Sequence, residues 1–236
     1  MANSERHMAL VEHLRELRDR LIRAVLGVAA TTVFSFIFIN QLVGVFLRLI
    51  PSSPNTDVIV LEPAEKFTSY FKVALTAGIV LAMPLIVYQL FRFLAPGLTR
   101  LERRWLLLGL PLVTAFFAAG VAFCYFIVLP SALTFLLNFG DPLIKNNLRL
   151  STVLGFETTF MLAVGVTFEL PPVMFLLAKL GIVRAPRMRG LRRYVIVIAF
   201  VVAAVITPTP DPVNQTIVAL PIYLLYELGL LFARFA

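Results

Sequence analysis

The fold is decided by apolar runs such as WLLLGLPLVTAFFAAGVAFCYFIVL, which occupies residues 105–129 and contains no charged side chain. About 20 apolar residues form a helix long enough to cross ~30 Å of hydrocarbon. Similar runs lie at residues 21–47, 68–94, 153–180 and 215–235, and a shorter one lies at residues 194–206. We therefore predict an all-α polytopic membrane protein with six transmembrane helices in a single domain, residues 1–236.

The composition agrees with this class. Hydrophobic residues make up 60% of the chain and charged residues only 14%, which is too apolar for a soluble globular domain. The net charge of +8 does not indicate nucleic-acid binding, because the bases lie in short segments between apolar runs. They concentrate within residues 6–23, 92–104 and 179–193, which predicts that both termini are cytoplasmic.

The last two runs differ from the first four. The run at residues 194–206 offers only 13 residues, or about 20 Å of helix. The run at residues 215–235 is interrupted early by Pro221. We therefore expect helices five and six to be short, joined by a stiff turn at residues 207–212 in which three prolines alternate with polar residues.

An amphipathic helix is predicted at about residues 8–22, where Leu10, Leu14, Leu17 and Leu21 share one face. Its charged region is long and the following run is of span length, so we do not interpret it as a cleavable signal peptide. We give no weight to residues 1–8. The acids on this helix are unexpected, because bases alone would anchor it better to anionic lipid.

Two carboxylates on the predicted cytosolic side are candidates for binding guanidinium groups. Glu16 lies on the amphipathic helix and Glu102 lies in the link between the second and third spans. A carboxylate pairs with arginine in bidentate geometry, which discriminates against lysine. The alternative is internal pairing, of Glu16 with Arg20 and of Asp19 with an arginine four residues away (Arg15 or Arg23).

Glu169 lies past the middle of the fourth span, where an ionisable group costs about 3 kcal/mol and is a functional candidate. Pro171 and Pro172 follow it, so we expect a kink there with free carbonyls beside the carboxylate. The alternative is a protonated glutamate satisfied within the bundle. We expect Glu157 to be solvated near the outer end of this span.

Three polar residues of the last span are secondary candidates. We expect Glu227 to snorkel or to meet an arginine, and Asp211 to cap the helix. Gln215 lies on the other side of the proline turn from the fifth span.

Other chemistries find little support. Cys124 is the only cysteine. His7 and His13 are too few, and too remote from any cysteine or cluster of acids, to suggest a metal site. The chain contains no nucleotide-binding loop and no nucleophile beside a base, so we expect neither an enzyme nor a cofactor.

Several segments together resemble the TatC family, the multispanning receptor subunit of the twin-arginine protein translocase. Two departures are Leu101, at a position usually occupied by His, and an extra Thr-Pro step in the proline turn. The matching segments are residues 13–18, 93–97, 101–104, 167–171 and 207–215.

The resemblance implies a receptor in the bacterial inner membrane that binds the twin-arginine signal peptides of folded proteins. Glu16 and Glu102 match the acids that recognise the paired arginines, and Arg18, Phe93 and Arg104 would be their neighbours. It also implies docking of the single-span partners TatA and TatB, self-association within a larger complex, and transport that draws on the proton-motive force. The positions expected to serve docking are Glu169, Thr167, Gln215 and Asp211.

Two other functions remain open at this point. One is a proton-coupled small-solute transporter that uses Glu169, although the chain shows no internal repeat. The other is a structural membrane scaffold whose acids are all internally paired.

Overall fold

The computed structural model describes residues 2–51, 56–138, 146–183, 185–206 and 212–235. Nearly all of this is helix, as the apolar runs predict. The α-helices are α1 Ala2–Ile37, α2 Ile39–Leu47, α3 Glu65–Leu94, α4 Arg100–Phe123, α5 Leu129–Asn138, α6 Leu150–Thr167, α7 Leu170–Lys179, α8 Ala185–Gly190, α9 Arg192–Ile206 and α10 Pro212–Phe232. A 3₁₀ turn, Ala95–Gly97, follows α3, and a π-helical turn, Cys124–Val128, joins α4 to α5.

Five helical segments of the described chain are long and apolar enough to cross a membrane. They match five of the predicted spans, and the third is longer than predicted because α4, the π-helical turn and α5 run on without a break. The segments are Glu12–Ile37, Glu65–Leu94, Glu102–Asn138, Leu150–Lys179 and Gln215–Phe232. The predicted amphipathic segment is the first part of α1, so it leads into the first span without a turn.

The lengths of the last two helices correct one expectation. Helix α9 has 15 residues, or about 22 Å, and is short as predicted. Helix α10 has 21 residues, or about 31 Å, so the prediction of a short sixth helix is wrong. The helix continues through Pro221, since proline is tolerated in membrane helices where neighbouring groups satisfy the freed backbone carbonyl.

The helices pack as a bundle in which α3 and α6 are central. Helix α1 lies along α3, α3 packs on α4 and α6, and α7 and α9 pack on α10. The α1–α3 contact is close because Gly78 has no side chain. A Cβ atom there would lie 2.7 Å from Cα of Thr32, and the Thr31 hydroxyl donates to the Gly78 carbonyl at 2.8 Å.

The fourth span is divided as predicted. Helix α6 ends at Thr167 and α7 begins at Leu170, so Phe168 and Glu169 lie at the break. Pro171 and Pro172 cause it, since neither has an N–H to donate to the preceding turn. The break places the backbone of Glu169 at a helix junction inside the membrane segment.

The expectation of an all-α protein needs a second correction. Strands β1 (Thr56–Ile59) and β2 (Asn146–Arg149) form a two-stranded parallel sheet with Thr56 opposite Asn146. They come from the loops before α3 and α6, so they lie at the start of both helices. Their four-residue length gives too weak a periodicity to recognise in the sequence.

An ion-pair cluster fastens this sheet to the bundle. Glu65, the first residue of α3, is buried and accepts hydrogen bonds from the backbone N–H groups of Leu61 and Ser151, both at 2.9 Å. Arg149 lies 2.8 Å from Glu62 and 3.2 Å from Glu65. Hydrogen bonding, first to Glu62 and then to Glu65, raises the pKa of the Arg149 guanidinium, so the cation persists.

Candidate functional site

Glu16 lies on the described part of α1 with its side chain partly exposed. Its carboxylate accepts hydrogen bonds from two nitrogens of the Arg20 guanidinium, one of them Nε at 3.0 Å. The predicted internal pair at i, i+4 is therefore present. The geometry also shows that this carboxylate can receive a guanidinium at the protein surface.

His13 connects this carboxylate to the end of α3. Its Nδ1 lies 4.0 Å from Glu16 Oε2, and its ring stacks on Phe93 with centroids 4.3 Å apart and an interplanar angle of 15°. His13 belongs to the family-matching segment at residues 13–18, but no sequence pattern paired it with Phe93. The stack was missed because residues 80 positions apart carry no local signal of contact.

Glu102 is the third residue of α4 and forms a capping box with Thr99. The Thr99 backbone N–H donates to Glu102 Oε2 at 2.7 Å, and the Glu102 backbone N–H donates to the Thr99 hydroxyl at 3.4 Å. This pattern, Thr-x-x-Glu, is typical of helix starts. The cap fixes the Glu102 side chain beside the first turn of α4.

The two arginines expected beside these carboxylates, Arg18 and Arg104, have different surroundings. Arg18 donates to Asp19 at 2.8 and 2.9 Å, so the predicted pairing of Asp19 with Arg15 or Arg23 is wrong. Adjacent residues on a helix point in different directions, but these two side chains are exposed and long enough to turn toward each other. Arg104 is exposed on the first turn of α4.

Glu16, Phe93 and Glu102 lie at the same end of the bundle, but they do not all contact one another. The His13–Phe93 stack joins the Glu16 segment to the end of α3, and the chain then passes through Ala95–Gly97 to Thr99 and Glu102. No described contact joins Glu16 directly to Glu102. The arrangement therefore offers two separate carboxylates on one surface, with an aromatic pair beside the first.

Glu169 is buried at the α6–α7 break, with 9% of its surface exposed. Neither carboxylate oxygen has a hydrogen-bond partner within the described residues. Thr167 does not supply one, since its hydroxyl donates to the Ala163 carbonyl at 2.7 Å. The alternative in which the bundle satisfies Glu169 is therefore not observed in the described chain.

The remaining predicted residues are not brought to Glu169 by any described contact. Gln215 is partly exposed near the start of α10. Asp211 lies outside the described residues. Glu227 pairs with Arg192 at 2.6 Å, which confirms its expected arginine partner, and also accepts from the Tyr223 hydroxyl at 3.0 Å.

Glu157 contradicts the sequence-based expectation of a solvated residue. Its side chain is completely buried in α6, and its carboxylate has no hydrogen-bond partner among the described residues. Seven residues separate it from Leu150, where α6 begins, so it lies about 10 Å into the helix. The prediction was wrong because α6 is enclosed by other helices, chiefly α3 and α4.

A metal centre has no basis in the described chain, where no group of three His, Cys, Asp or Glu side chains is close enough to hold an ion. Cys124 is buried in the π-helical turn with a free thiol.

Comparison with known proteins agrees with this architecture. A family model described as Sec-independent protein translocase protein (TatC) matches residues 12–221. The TatC protein of Deinococcus radiodurans is 39% identical over 235 residues, which cover 95% of this chain and 85% of that protein. The TatC protein of Carboxydothermus hydrogenoformans is 31% identical over 231 residues, which cover 98% and 95%.

A solved structure shares the whole fold. The crystal structure of the twin arginine translocase receptor TatC superposes with a TM-score of 0.84 at 35% identity, and the match covers 94% of this chain and 98% of that one. The chain thus belongs to the TatC family of Sec-independent protein translocase components, and it is a multi-pass protein of the bacterial membrane.

Proposed function

We propose that this chain is the subunit that binds twin-arginine signal peptides of folded proteins at the cytosolic face of the membrane. Glu16 and Glu102 receive the two guanidinium groups. Arg18, Phe93 and Arg104 border the site, with Phe93 held by the His13 stack. The protein acts as a receptor and assembly core and carries out no catalytic step.

The observation that supports this most is the match of residues 12–221, which include Glu16 and Glu102, to the TatC family. The Glu16–Arg20 pair is the internal pairing of the alternative, and it also gives the contact that Glu16 makes with a guanidinium. Glu16 holds the Arg20 guanidinium through two hydrogen bonds that both end on Oε1, and the Arg20 side chain is only 14% exposed. An arginine of an incoming peptide replaces Arg20 at this carboxylate. A lysine ammonium lacks the planar fork of N–H groups that a guanidinium offers to a carboxylate, which accounts for selection of arginine.

Glu102 supplies the second acceptor. Its Oε2 accepts the Thr99 N–H, while Oε1 has no partner among the described residues. The capping box holds the side chain in one orientation, so little rotamer entropy is lost when a guanidinium binds.

The proposed orientation has six spans with both termini in the cytosol. The five long helices account for five crossings. Helix α9 makes the sixth, since Val201 and Val205 are exposed on one side while Ala199 and Ala203 are buried on the other. Exposed valines on an apolar helix are stable against lipid. A 22 Å helix there requires local thinning of the bilayer.

Glu169 and its neighbourhood serve the partner subunits in this proposal. A buried carboxylate with no partner in the described chain is costly, and a polar group from a docking helix removes that cost. Thr167, Gln215 and Asp211 are the other polar positions assigned to docking of TatA and TatB. Their docking supports export driven by the proton-motive force.

Peptide binding to the purified protein in nanodiscs tests the central claim. A fluorescent twin-arginine signal peptide is titrated and Kd is read from anisotropy. Loss of one charge-assisted hydrogen-bonded contact costs about 1.5–3 kcal/mol, so Glu16→Gln or Glu102→Gln should weaken binding roughly 10- to 150-fold. Glu62→Gln is the control, because Glu62 pairs with Arg149 beside the sheet, away from the proposed site, and should leave Kd unchanged.

A twin-lysine peptide provides the second arm of the experiment. It should bind the unmutated protein as weakly as the twin-arginine peptide binds Glu16→Gln. Equal affinity for both peptides, or equal affinity of Glu16→Gln and Glu62→Gln, would show that these carboxylates do not recognise arginine.

A further inference from the structure

A groove of about 190 Å³ runs between α3 and α6 in the half of the bundle that carries the two-stranded sheet. The position of the groove along the two helices can be counted from their starts. A hydrogen bond from Ser151 N to Glu65 places the start of α6 beside the start of α3. Lys72 and Thr158 each lie seven residues further along, about 10 Å into the bundle. The groove therefore opens within the membrane-spanning length of both helices.

Lys72 supplies the only charge among the described residues that line the groove. Its side chain is exposed, and no carboxylate oxygen of the described residues lies within 4.0 Å of its ammonium. Lys66, six residues nearer the sheet, instead lies over the Tyr70 ring at 5.7 Å. An anion beside Lys72 stabilises an ammonium at this depth, and the described carboxylates do not supply one.

The lining changes character with depth. Lys72 and Thr159 lie at nearly the same depth, Thr76 and Leu162 lie about one turn deeper, and Ile79 is the deepest of these residues. A cation and hydroxyls at the shallow end, with apolar side chains at the deep end, match the phosphate, glycerol esters and acyl chain of a phospholipid. A groove of about 190 Å³ suits a narrow chain rather than a helix.

We propose that this groove is a binding site for an anionic phospholipid of the leaflet on the sheet side. The phosphate pairs with Lys72, the glycerol region lies against Thr76 and Thr159, and one acyl chain lies along Ile79 and Leu162. The lipid seals the α3–α6 seam and neutralises the ammonium, and the partner-docking residues around Glu169 play no part in it.

Gly155 provides a way to fill the groove without disturbing the helix packing. It is one of the lining residues, and a Cβ atom placed on it meets nothing within 4 Å. A leucine there extends into the space assigned to the lipid. Gly44 in α2 is the matched control, because a Cβ atom there also meets nothing within 4 Å and the residue is not in the groove.

The test uses the full chain, delipidated in mild detergent and titrated with phosphatidylglycerol, with bound lipids counted by native mass spectrometry. One lysine contact near a charged lipid surface corresponds to about a fivefold change in Kd. Lys72→Gln and Gly155→Leu should each weaken the tightest phosphatidylglycerol site about fivefold or more. Lys72→Arg should restore it, and Lys66→Gln and Gly44→Leu should leave it unchanged.

Two further measurements distinguish an anionic phospholipid from other occupants of the groove, namely phosphatidylcholine binding and photo-crosslinking. The unmutated protein should bind phosphatidylcholine more weakly, and a crosslinker at Thr159 in native membranes should capture lipid. The proposal is overturned if Lys72→Gln matches Lys66→Gln in lipid affinity, or if the crosslinker captures a protein helix instead. If Gly155→Leu does not fold, the Lys72→Gln and Lys72→Arg pair still decides the outcome.

Discussion

The imidazole of His13 stacks on the phenyl ring of Phe93, with 4.3 Å between centroids and 15° between planes. This contact ties the charged segment of α1, which carries Glu16, to the last turn of α3. Aromatic pairs of this kind are worth about 0.5–1.5 kcal/mol beyond the area they bury. The position of Glu16 relative to the α3–α4 link thus depends on a contact between two rings.

Removal of this stack should weaken peptide binding without removing either carboxylate. His13→Ala should raise the Kd for a twin-arginine peptide about 2- to 10-fold, because the stacking contact that positions Glu16 next to the end of α3 is lost. His13→Phe keeps a ring against Phe93 and should bind nearly normally. If His13→Ala and His13→Phe bind alike, the stack does not position Glu16.

Arg20 should compete with the peptide for Glu16. A partly exposed ion pair contributes up to about 1 kcal/mol, so Arg20→Gln should strengthen peptide binding about 2- to 5-fold. The same anisotropy titration measures it. Arg23→Gln is the control, because Arg23 lies on the same segment and forms no ion pair with Glu16 in the described structure. Weaker binding by Arg20→Gln would mean that Arg20 supports the site instead.

Glu65 should matter for stability far more than its neighbour Glu62. Glu65→Ala removes the acceptor of two backbone N–H groups and a buried partner of Arg149. We expect its thermal unfolding midpoint to fall by about 4–8 °C, whereas exposed Glu62→Ala should change it by less than ~2 °C. Thermal unfolding in detergent measures both, and equal shifts would exclude a role for Glu65 in fastening the sheet.

Gly78 should not tolerate a side chain. A Cβ atom would lie 2.7 Å from Thr32 Cα and 2.8 Å from Thr32 N, so α1 and α3 must separate. Gly78→Ala should lower the free energy of unfolding by about 1–3 kcal/mol, measured by titration with a denaturing detergent. Gly44→Ala meets no atom and should be neutral or slightly stabilising, because alanine favours helix.

Substitution of Glu169 should lower export without lowering the stability of the isolated protein. Its carboxylate has no partner in the described chain, so Glu169→Leu should leave the isolated protein equally stable or more stable. Export of a twin-arginine precursor and copurification of the single-span partners should nevertheless fall. Full export with Glu169→Leu would remove this residue from the docking proposal.

The sequence by itself determined the class, the positions of the spans and the break in the fourth span. These depend on local properties, namely runs of apolar side chains and the missing N–H groups of Pro171 and Pro172. The Glu16–Arg20 pair and the Thr99–Glu102 cap were also predictable or recognisable from spacing, because their members lie within one helical turn.

Only the tertiary structure decided which distant groups meet. Two long-range contacts are the stack of His13 on Phe93 and the hydrogen bond from Ser151 N–H to Glu65. The burial of Glu157 likewise depends on segments far away in the chain. A membrane helix is apolar on every side, so its periodicity does not identify which face contacts protein and which contacts lipid. That choice depends on the close fit at positions such as Gly78, which is a property of the packed bundle.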